Sequence, residues 1–446
     1  MNNSSTQLQA TSSLEEWLSY LENGHFKAID LGLDRIKAVA QELDLLHPAS
    51  FIITVGGTNG KGTTCKLLET LLINAGYRVG VYSSPHLIRY NERVRIQNQE
   101  LDDELHCHAF DFIERRKTQS LTYFEYSTLA ALYLFKQAQL DVVILEVGLG
   151  GRLDATNIVD NHMAIITGID IDHTEFLGST REAIGFEKAG IFREGRPVII
   201  GDPTAPVSML EHAKKLHCRV FCRDKDWQFS AQKDSWSWFN YEKVRWKSLP
   251  IPQIPLANAA TALAAVACLP FPISDEIIVQ SLTEAELTGR FQRIKTEKLT
   301  RLAARCHKSV EELPQIIIDV GHNPQAARYL AEKITALRDE TAGRIHAVCG
   351  ILKDKDAEGV LSPLLPLIDA WHCVTLGGYR GQTGAELNAK LRQVAESCHQ
   401  AVQTENQDSV RDGVLAAIAQ AKKQDCILIF GSFHTVGEFL EMLSEE

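Results

Sequence analysis

No run in the 446 residues approaches the roughly 18 uninterrupted apolar residues that a membrane-spanning helix needs, so none is expected. The opening MNNSSTQLQATSS has neither a basic stretch nor an apolar one, which argues against a secretory signal and makes the cytoplasm the expected compartment. Cys-x-x-Cys spacing is missing. The ten cysteines are scattered singly, with Cys65, Cys268, Cys349, Cys373 and Cys426 in apolar stretches, and Cys218 and Cys222 four apart with no second pair nearby. Buried reduced thiols are expected, not a disulfide framework or a zinc site. Positive charge is in deficit: 46 Lys plus Arg against 57 Asp plus Glu gives −11. That argues against nucleic-acid and anionic-membrane partners but leaves room for a locally positive pocket. Low-complexity tracts and short internal repeats are also absent, and 45% hydrophobic with 23% charged residues excludes a disordered chain.

The length alone suggests about three domains. Helices are expected over 13–21, 29–46 and 123–138, and after the Gly-rich turn that follows FIITV (51–55). Further buried strands are expected over 78–82, 141–147, 163–169 and 197–200. The Trp-rich stretch 227–246 reads as an antiparallel hairpin, and LPIPQIP (249–255), with three prolines in seven residues, as the clearest boundary. A second strand series follows over 315–320, 345–350, 371–376 and 426–431. The fold class is therefore α/β: two domains of mostly parallel sheet covered by helices, divided between 250 and 295 and assigned as 1–288 and 289–446.

The sharpest local pattern is G-G-T-N-G-K-G-T-T (56–64), between a buried strand and a helix. Glycines let the backbone aim successive N–H groups at one point, the helix N-terminus adds partial positive charge, and Lys61 adds a full one. A strict Walker A loop has Ser or Thr directly after the Lys; here Gly62 intervenes before Thr63. The bland alternative is a strand-to-helix turn without a ligand. Glu146 ends an apolar strand and precedes a second Gly-rich run, V-G-L-G-G-R-L-D-A-T-N (147–157), which makes it a candidate Mg²⁺ ligand or, taken alone, a salt-bridge partner.

G-T-N-G-K-G-T (57–63) resembles the variant phosphate loop of the Mur ligase superfamily, in its folylpolyglutamate synthase branch. E-V-G-L-G-G-R-L-D-A-T-N (146–157) resembles the second signature of that family, and D-H-x-x-x-L-G (172–178) its third. The ordered motifs run from about residue 14 to 439. The resemblance implies an N-terminal P-loop domain, a smaller Rossmann-like C-terminal domain and an active site in the cleft between them. It implies ATP contacts from Thr58, Asn59, Gly60, Lys61, Gly62, Thr63, Asn258, Arg290 and Asp319. Ser84, Glu146, His173 and Lys188 are implied to hold two Mg²⁺ ions, Lys188 as its N6-carboxy (carbamylated) form, and a monovalent cation is allowed. Lys61, Lys188 and His173 are the implied catalytic set. Without the family, Ser84 reads as part of a turn, His173 as structural, Lys188 as an exposed partner of Glu187, Asn258 as a helix cap and Arg290 as a surface charge.

The implied reaction is ATP-dependent amide ligation through an acyl phosphate, with L-glutamate attacking. The bifunctional members of the family are the nearest in pattern, and their dihydropteroate or reduced-folate pocket maps onto Asp30, Leu31, Gly32, Leu33, Thr122, Tyr123, Phe124, Glu125, Leu153, Asp154 and Ala155. Phe124 is read as a ring to stack on a pterin or, equally, as packing at a helix start, as is Tyr126. A monofunctional synthase for reduced folates and a nucleotide-binding regulatory module remain the alternatives. The expected partners are small molecules only, and the expected state is a monomer. A charged helical insertion is expected over 298–313. Arg89, Arg93 and Arg95 stand open as carboxylate receivers or an exposed face, and Gly431-Ser432-Phe433-His434 as a pocket wall or a turn.

Overall fold

The first sheet is assembled from β1 (Ala49–Gly56), β2 (Val79–Tyr82), β3 (Val94–Ile96), β4 (Gln99–Glu100), β5 (Leu140–Glu146), β6 (Met163–Ile166), β7 (Pro197–Ile200) and β8 (Arg219–Cys222). Their order is β4-β3-β2-β5-β1-β6-β7-β8. The pairings are parallel except β2 with β3 and β3 with β4, as the fully apolar strands require when both faces are covered. The computed structural model describes residues 8–25, 27, 29–241, 244–340 and 343–444, so the polar opening residues 1–7 lie outside it.

The helices that cover this sheet are α1 (Leu14–Glu22), α2 (Asp34–Glu42), α3 (Lys61–Asn74), α4 (Asp103–Glu114), α5 (Tyr123–Ala138), α6 (Thr174–Leu177), α7 (Arg181–Ala189), α8 (Val207–Lys215), α9 (Leu256–Ala267) and α10 (Asp275–Glu284). Reciprocal caps start two of them: Ser13 with Glu16 at α1, and Thr122 with Glu125 at α5. A left-handed Gln139 stops α5. One core lies under α1, α2, α4 and α5, and another joins α3, α9 and α10 to the sheet. A three-stranded antiparallel sheet of β9 (Trp227–Ala231), β10 (Trp236–Asn240) and β11 (Val244–Leu249) carries the Trp-rich stretch, one strand more than the expected hairpin.

Two compact units divide the chain, one of Met1–His86 and Tyr90–Glu286, the other of Leu87–Arg89 and Leu287–Glu446. The second holds the sheet β12 (Gln292–Arg293), β13 (Gln315–Asp319), β14 (Ile345–Cys349), β15 (Ala370–Val374), β16 (Thr404–Gln407) and β17 (Cys426–Phe430), in the order β12-β13-β17-β14-β15-β16. It is parallel except at β12, which runs antiparallel to β13. Its helices are α11 (Thr300–Arg305), α12 (Pro324–Glu340), α13 (Ala357–Leu361), α14 (Gly384–Ser397), α15 (Val410–Gln420) and α16 (Phe433–Ser444).

Several expectations need correction. The helix expected over 29–46 is only α2, because Asp30 draws the preceding chain into a loop by accepting from Arg35 (2.6 Å) and Lys27 (3.3 Å), and a left-handed Asp44 follows its end. The strand expected over 163–169 stops at Ile166, since Gly168 turns its carbonyl to the Thr58 N–H (2.7 Å). The Pro-rich run 249–255 is no boundary. The Ala-rich α9 after it packs on the same core as α3, through Ala259, Ala262 and Leu263. The charged insertion 298–313 is a short helix flanked by two 3₁₀ turns, and Leu299, Leu302, Ala303 and Leu313 bury its apolar side. All ten cysteines are free thiols, but Cys398 is exposed and Cys218, Cys268 and Cys306 are only partly buried. Among the described residues no helix is long and apolar enough to cross a membrane.

Candidate active site

β1 lies between β5 and β6, with Val55 opposite Glu146 and Gly56 opposite Ile166. Three parallel strands therefore end side by side where the strand order reverses, and such a switch point opens a crevice for ligands. The loops leaving them carry three of the motifs: 57–60, 147–154 and 167–173.

The first loop is pinned from β6. The Thr58 N–H reaches Gly168 O, the Thr58 hydroxyl bridges Asp170 O and Asp170 N (both 3.0 Å), and the Thr167 hydroxyl donates to Asn59 O at 2.6 Å. Gly60 precedes α3 with φ +86° and no side-chain cap, so the first N–H groups of the 14-residue helix face the crevice. Lys61 Nζ donates to Gly57 O (3.0 Å) and Thr58 O (3.2 Å), and the Thr63 hydroxyl donates to Gly60 O (3.0 Å). Asn258, three residues into α9, donates its amide to Thr63 Oγ1 at 2.7 Å, so it braces the loop and is not a helix cap. A Cβ on Gly60 would stand 2.4 Å from Asn258 Oδ1. Gly60→Ala is therefore expected to weaken binding of a non-hydrolysable ATP analogue at least about tenfold by calorimetry. Unchanged affinity would show that the left-handed turn does not shape the phosphate site.

Lys188 is the next element. It lies near the end of α7, which Thr180 caps, and it is only 4% exposed. Its Nζ donates to Gly57 O at 3.0 Å, the same carbonyl that Lys61 uses. The exposed-pair alternative fails, because Glu187 binds Arg152 instead (2.9 Å). Burial, reinforced by the Lys61 charge, lowers the Lys188 ammonium to about 7, while Asp172 and Asp154 pull the other way. Lys61, Lys188, Asp172 and His173 line one cavity with Gly57, Thr58, Leu177 and residues 147–150. His173 has a left-handed backbone (φ 51°) ahead of α6 and a half-exposed ring 3.9 Å from the Asp172 carboxylate.

The second motif sets the position of Lys188. Gly151 sits where a Cβ would be 2.9 Å from Glu187 O and 3.0 Å from Lys188 O, so only glycine lets this loop reach the end of α7. Arg152 N donates to Glu187 O (2.7 Å), and the Asn157 amide donates to Arg152 O and Gly190 O (both 3.0 Å). Asp154 takes the Thr156 N–H and hydroxyl on one oxygen and the Leu149 N–H on the other. Its carboxylate thus organises its own loop. Glu146 is 5% exposed at the end of β5.

Among the described residues no three His, Cys, Asp or Glu side chains converge on one point. As expected ligands, Glu146, Ser84 and His173 would be a donor-poor set. Such a set suits Mg²⁺, which takes one or two protein oxygens and completes its shell with phosphates and water.

Some of the residues expected at a pterin pocket are linked. Arg35 joins Asp30 to Glu125 (2.9 Å), and Glu125 returns to the Thr122 N–H (2.8 Å). Leu33, Tyr123 and Phe124 edge the core that contains Ala155. Phe124 is half-buried, 5.9 Å from the Tyr82 ring, and Leu31 is exposed. Gly32 lies in the Asp30 loop, and Leu153 is partly buried beside Asp154. Tyr126 belongs to packing, with its hydroxyl on Glu114 at 2.6 Å.

In the second unit, two motifs meet at the end of β13. Asp319 accepts from the Phe291 N–H (2.8 Å) and the Gly321 N–H (2.7 Å). Burial raises its carboxyl, and the Arg290 charge opposes that rise. The Arg290 guanidinium lies 5.3 Å over the Phe433 ring, at the start of α16.

Sequence reasoning missed Thr167 and Asn157, whose bonds span 108 and 33 residues. It left Arg93 open. That side chain is 8% exposed, with Nε on His86 Nδ1 (2.8 Å) and its guanidinium 5.4 Å from the Tyr123 ring, so it is not an exposed face.

Two family models match the chain: the Mur ligase middle domain over residues 55–269, and the glutamate ligase domain of Mur ligases over 304–433. The dihydrofolate synthase/folylpolyglutamate synthase of Haemophilus influenzae is 65% identical over 98% of this chain and 99% of its own length. The solved structure of Escherichia coli FolC in complex with DHPP and ADP shares 47% identity, covers 98% of this chain and 99% of that one, and superposes with a TM-score of 0.90. A bifunctional folylpolyglutamate synthase/dihydrofolate synthase solved with Mn, AMPPNP and L-glutamate shares 48% identity over 98% of this chain and 99% of that one, with a TM-score of 0.87. By these likenesses and by its own phosphate loop, the chain belongs to the dihydrofolate synthase/folylpolyglutamate synthase family of Mur ligases.

Proposed function

We propose that this chain is an ATP-dependent ligase that joins L-glutamate to 7,8-dihydropteroate to make dihydrofolate, and further glutamates to reduced folates. One observation carries the reading. Two lysines, Lys61 and Lys188, converge on Gly57 O within a phosphate loop, beside the cavity that a second Gly-rich loop completes. The relatives bound to DHPP and ADP, and to Mn, AMPPNP and L-glutamate, support the ligand set.

The substrate carboxylate attacks the γ-phosphorus of ATP, giving an acyl phosphate and ADP. The glutamate amine then attacks that carbonyl and expels phosphate. Lys61 swings from Gly57 O to the transferred phosphoryl group, where its charge opposes the charge that develops. The N–H groups at the start of α3 hold the other phosphates. Lys188, titrating near 7, is neutral often enough to attack CO₂; the nitrogen loses a proton and becomes a carbamate. That carbamate, Ser84, Glu146 and His173 are assigned to hold Mg²⁺, which neutralises phosphate charge when bound. Asn258, Arg290 and Asp319 are assigned to the nucleotide, and the Asp30 loop, the start of α5 and Leu153–Ala155 to the pterin. Residues 1–288 take the nucleotide-binding role and 289–446 the glutamate ligase role, in a monomeric cytoplasmic enzyme.

The test is phosphate release from ATP with glutamate and either dihydropteroate or tetrahydrofolate. Release is expected with both. Release with tetrahydrofolate alone would leave a monofunctional synthase, and nucleotide binding without glutamate-dependent turnover would leave a regulatory module.

A further inference from the structure

Glu69 is a carboxylate with no solvent exposure, midway along the phosphate-loop helix α3, between leucines that pack into the core. An apolar residue would serve packing there at least as well, since a buried ion pair rarely adds stability over a hydrophobic replacement. Its partner is Arg95 on β3. Nε lies 3.3 Å and 3.2 Å from the two Glu69 oxygens, and NH2 lies 3.1 Å from Oε2. The third arm, NH1, donates to Ser83 Oγ (3.1 Å) and Glu92 O (3.2 Å).

These contacts join both ends of one excursion of the chain. β2 ends at Tyr82 opposite Val94, and the Ser83 N–H closes the excursion on Arg93 O at 2.9 Å. Ser84 is the next residue. Arg95 thus ties the base of the segment that carries Ser84 to the helix that carries Lys61 and Thr63, with every arm of its guanidinium in use. Lys66, one turn earlier on α3, lies 3.5 Å from Glu69 Oε2 and adds a second cation to the same carboxylate.

We propose that Glu69 and Arg95 form a positioning clamp. It fixes the Ser83–Ser84 segment against the phosphate helix and thereby sets the Ser84 hydroxyl at the divalent cation. The proposal rests on the assignment of Ser84 to the metal. A lysine cannot replace the arginine, because one ammonium does not span the Glu69 carboxylate and the Ser83 hydroxyl in a fixed plane.

The test uses the full chain with AMPPNP and titrates Mn²⁺, reading the free ion by electron paramagnetic resonance. Thermal midpoints and the KM for dihydropteroate are measured in parallel. Glu69→Gln and Arg95→Lys are each expected to weaken Mn²⁺ binding about tenfold, the scale of one lost charged hydrogen bond, with the dihydropteroate KM unchanged. Ser83→Ala keeps the buried ion pair and cuts its link to the loop, so a smaller loss, about threefold, is expected. A role confined to stability would lower the midpoint and leave Mn²⁺ affinity alone, and that result overturns the clamp. If the Glu69 and Arg95 variants do not fold, Ser83→Ala decides: wild-type affinity overturns the proposal. Ser84→Ala separates the two layers. If it alone weakens Mn²⁺ binding, the clamp falls and the Ser84 assignment stands; if it too binds Mn²⁺ like wild type, that assignment falls and the clamp with it.

Discussion

Lys188→Ala is expected to reduce glutamate-dependent phosphate release about a thousandfold, the scale of losing one preorganised group that stabilises developing charge. Binding of AMPPNP should persist, because the phosphate loop keeps its bonds to Thr167, Gly168 and Asp170 without this side chain. The position of the amine makes it reactive. It is 4% exposed, and its Nζ has a backbone carbonyl as acceptor instead of a carboxylate, so Asp172 and Asp154 offset its burial as an ammonium ion only in part. In the wild type, CO₂-free buffer should depress turnover and added bicarbonate should restore it, and ¹³CO₂ should give a carbamate signal that Lys188→Ala lacks. Full activity in Lys188→Ala would end the carbamate assignment.

The same burial sets a pH signature. The Lys188 ammonium falls to about 7 in the fold from an ordinary 10.5. Between those values the unfolded chain binds the extra proton, so the free energy of unfolding rises with pH from about 7 towards 10.5. Below about 7 the buried ammonium is destabilising to its full extent. Denaturant unfolding in CO₂-free buffer at pH 7 and pH 9 should show this slope in the wild type and a shallower one in Lys188→Ala.

The sequence was most legible where chemistry and local geometry coincide. Helix α5 falls on residues 123–138 as expected, since Thr122 and Glu125 cap it locally and an apolar period carries it to Gln139. The phosphate loop was legible because glycine, lysine and a strand-to-helix change lie within nine residues. What failed was whatever depended on distant partners. Residues 29–33 carry enough apolar side chains to read as helix, yet Arg35, held by Glu125 from 90 residues away, pulls Asp30 out of that conformation. Prolines in 249–255 look like a boundary because their local stiffness is visible, whereas the small-residue packing of α9 on the α3 core is not.

The site divides the same way. Lys61, Lys188 and His173, far apart in sequence, do line one cavity, and three motifs sufficed to group them. Asp154 was named with Leu153 and Ala155 from the resemblance of their motif, while its bonds to Leu149 and Thr156, which order the loop, became legible only in the fold. Thr167 carries no motif of its own; only the register of β6 beside β1 brings its hydroxyl to Asn59 O. Arg95 stood open between a carboxylate receiver and an exposed face, and its carboxylate partner Glu69 carries no motif, because their pairing spans 26 residues and two elements.

Lys61→Met should cut phosphate release by about a thousandfold as well, and it should also change the titration of Lys188. Two ammonium groups now share one acceptor, Gly57 O, and the Lys61 charge is the second cause, after burial, that holds the Lys188 ammonium down. Methionine preserves the length of the side chain and removes that charge. Lys188 then keeps its proton to higher pH, so its neutral, CO₂-reactive form appears later. The onset of the ¹³C carbamate signal in a pH series should therefore move upward in Lys61→Met, with no nucleotide present. In the wild type, ATP is expected to act in the same direction, because its phosphates draw Lys61 away from Gly57 and neutralise it. An unmoved onset in Lys61→Met would mean that the two amines do not sense each other. The lysine of the phosphate loop would then serve the nucleotide alone.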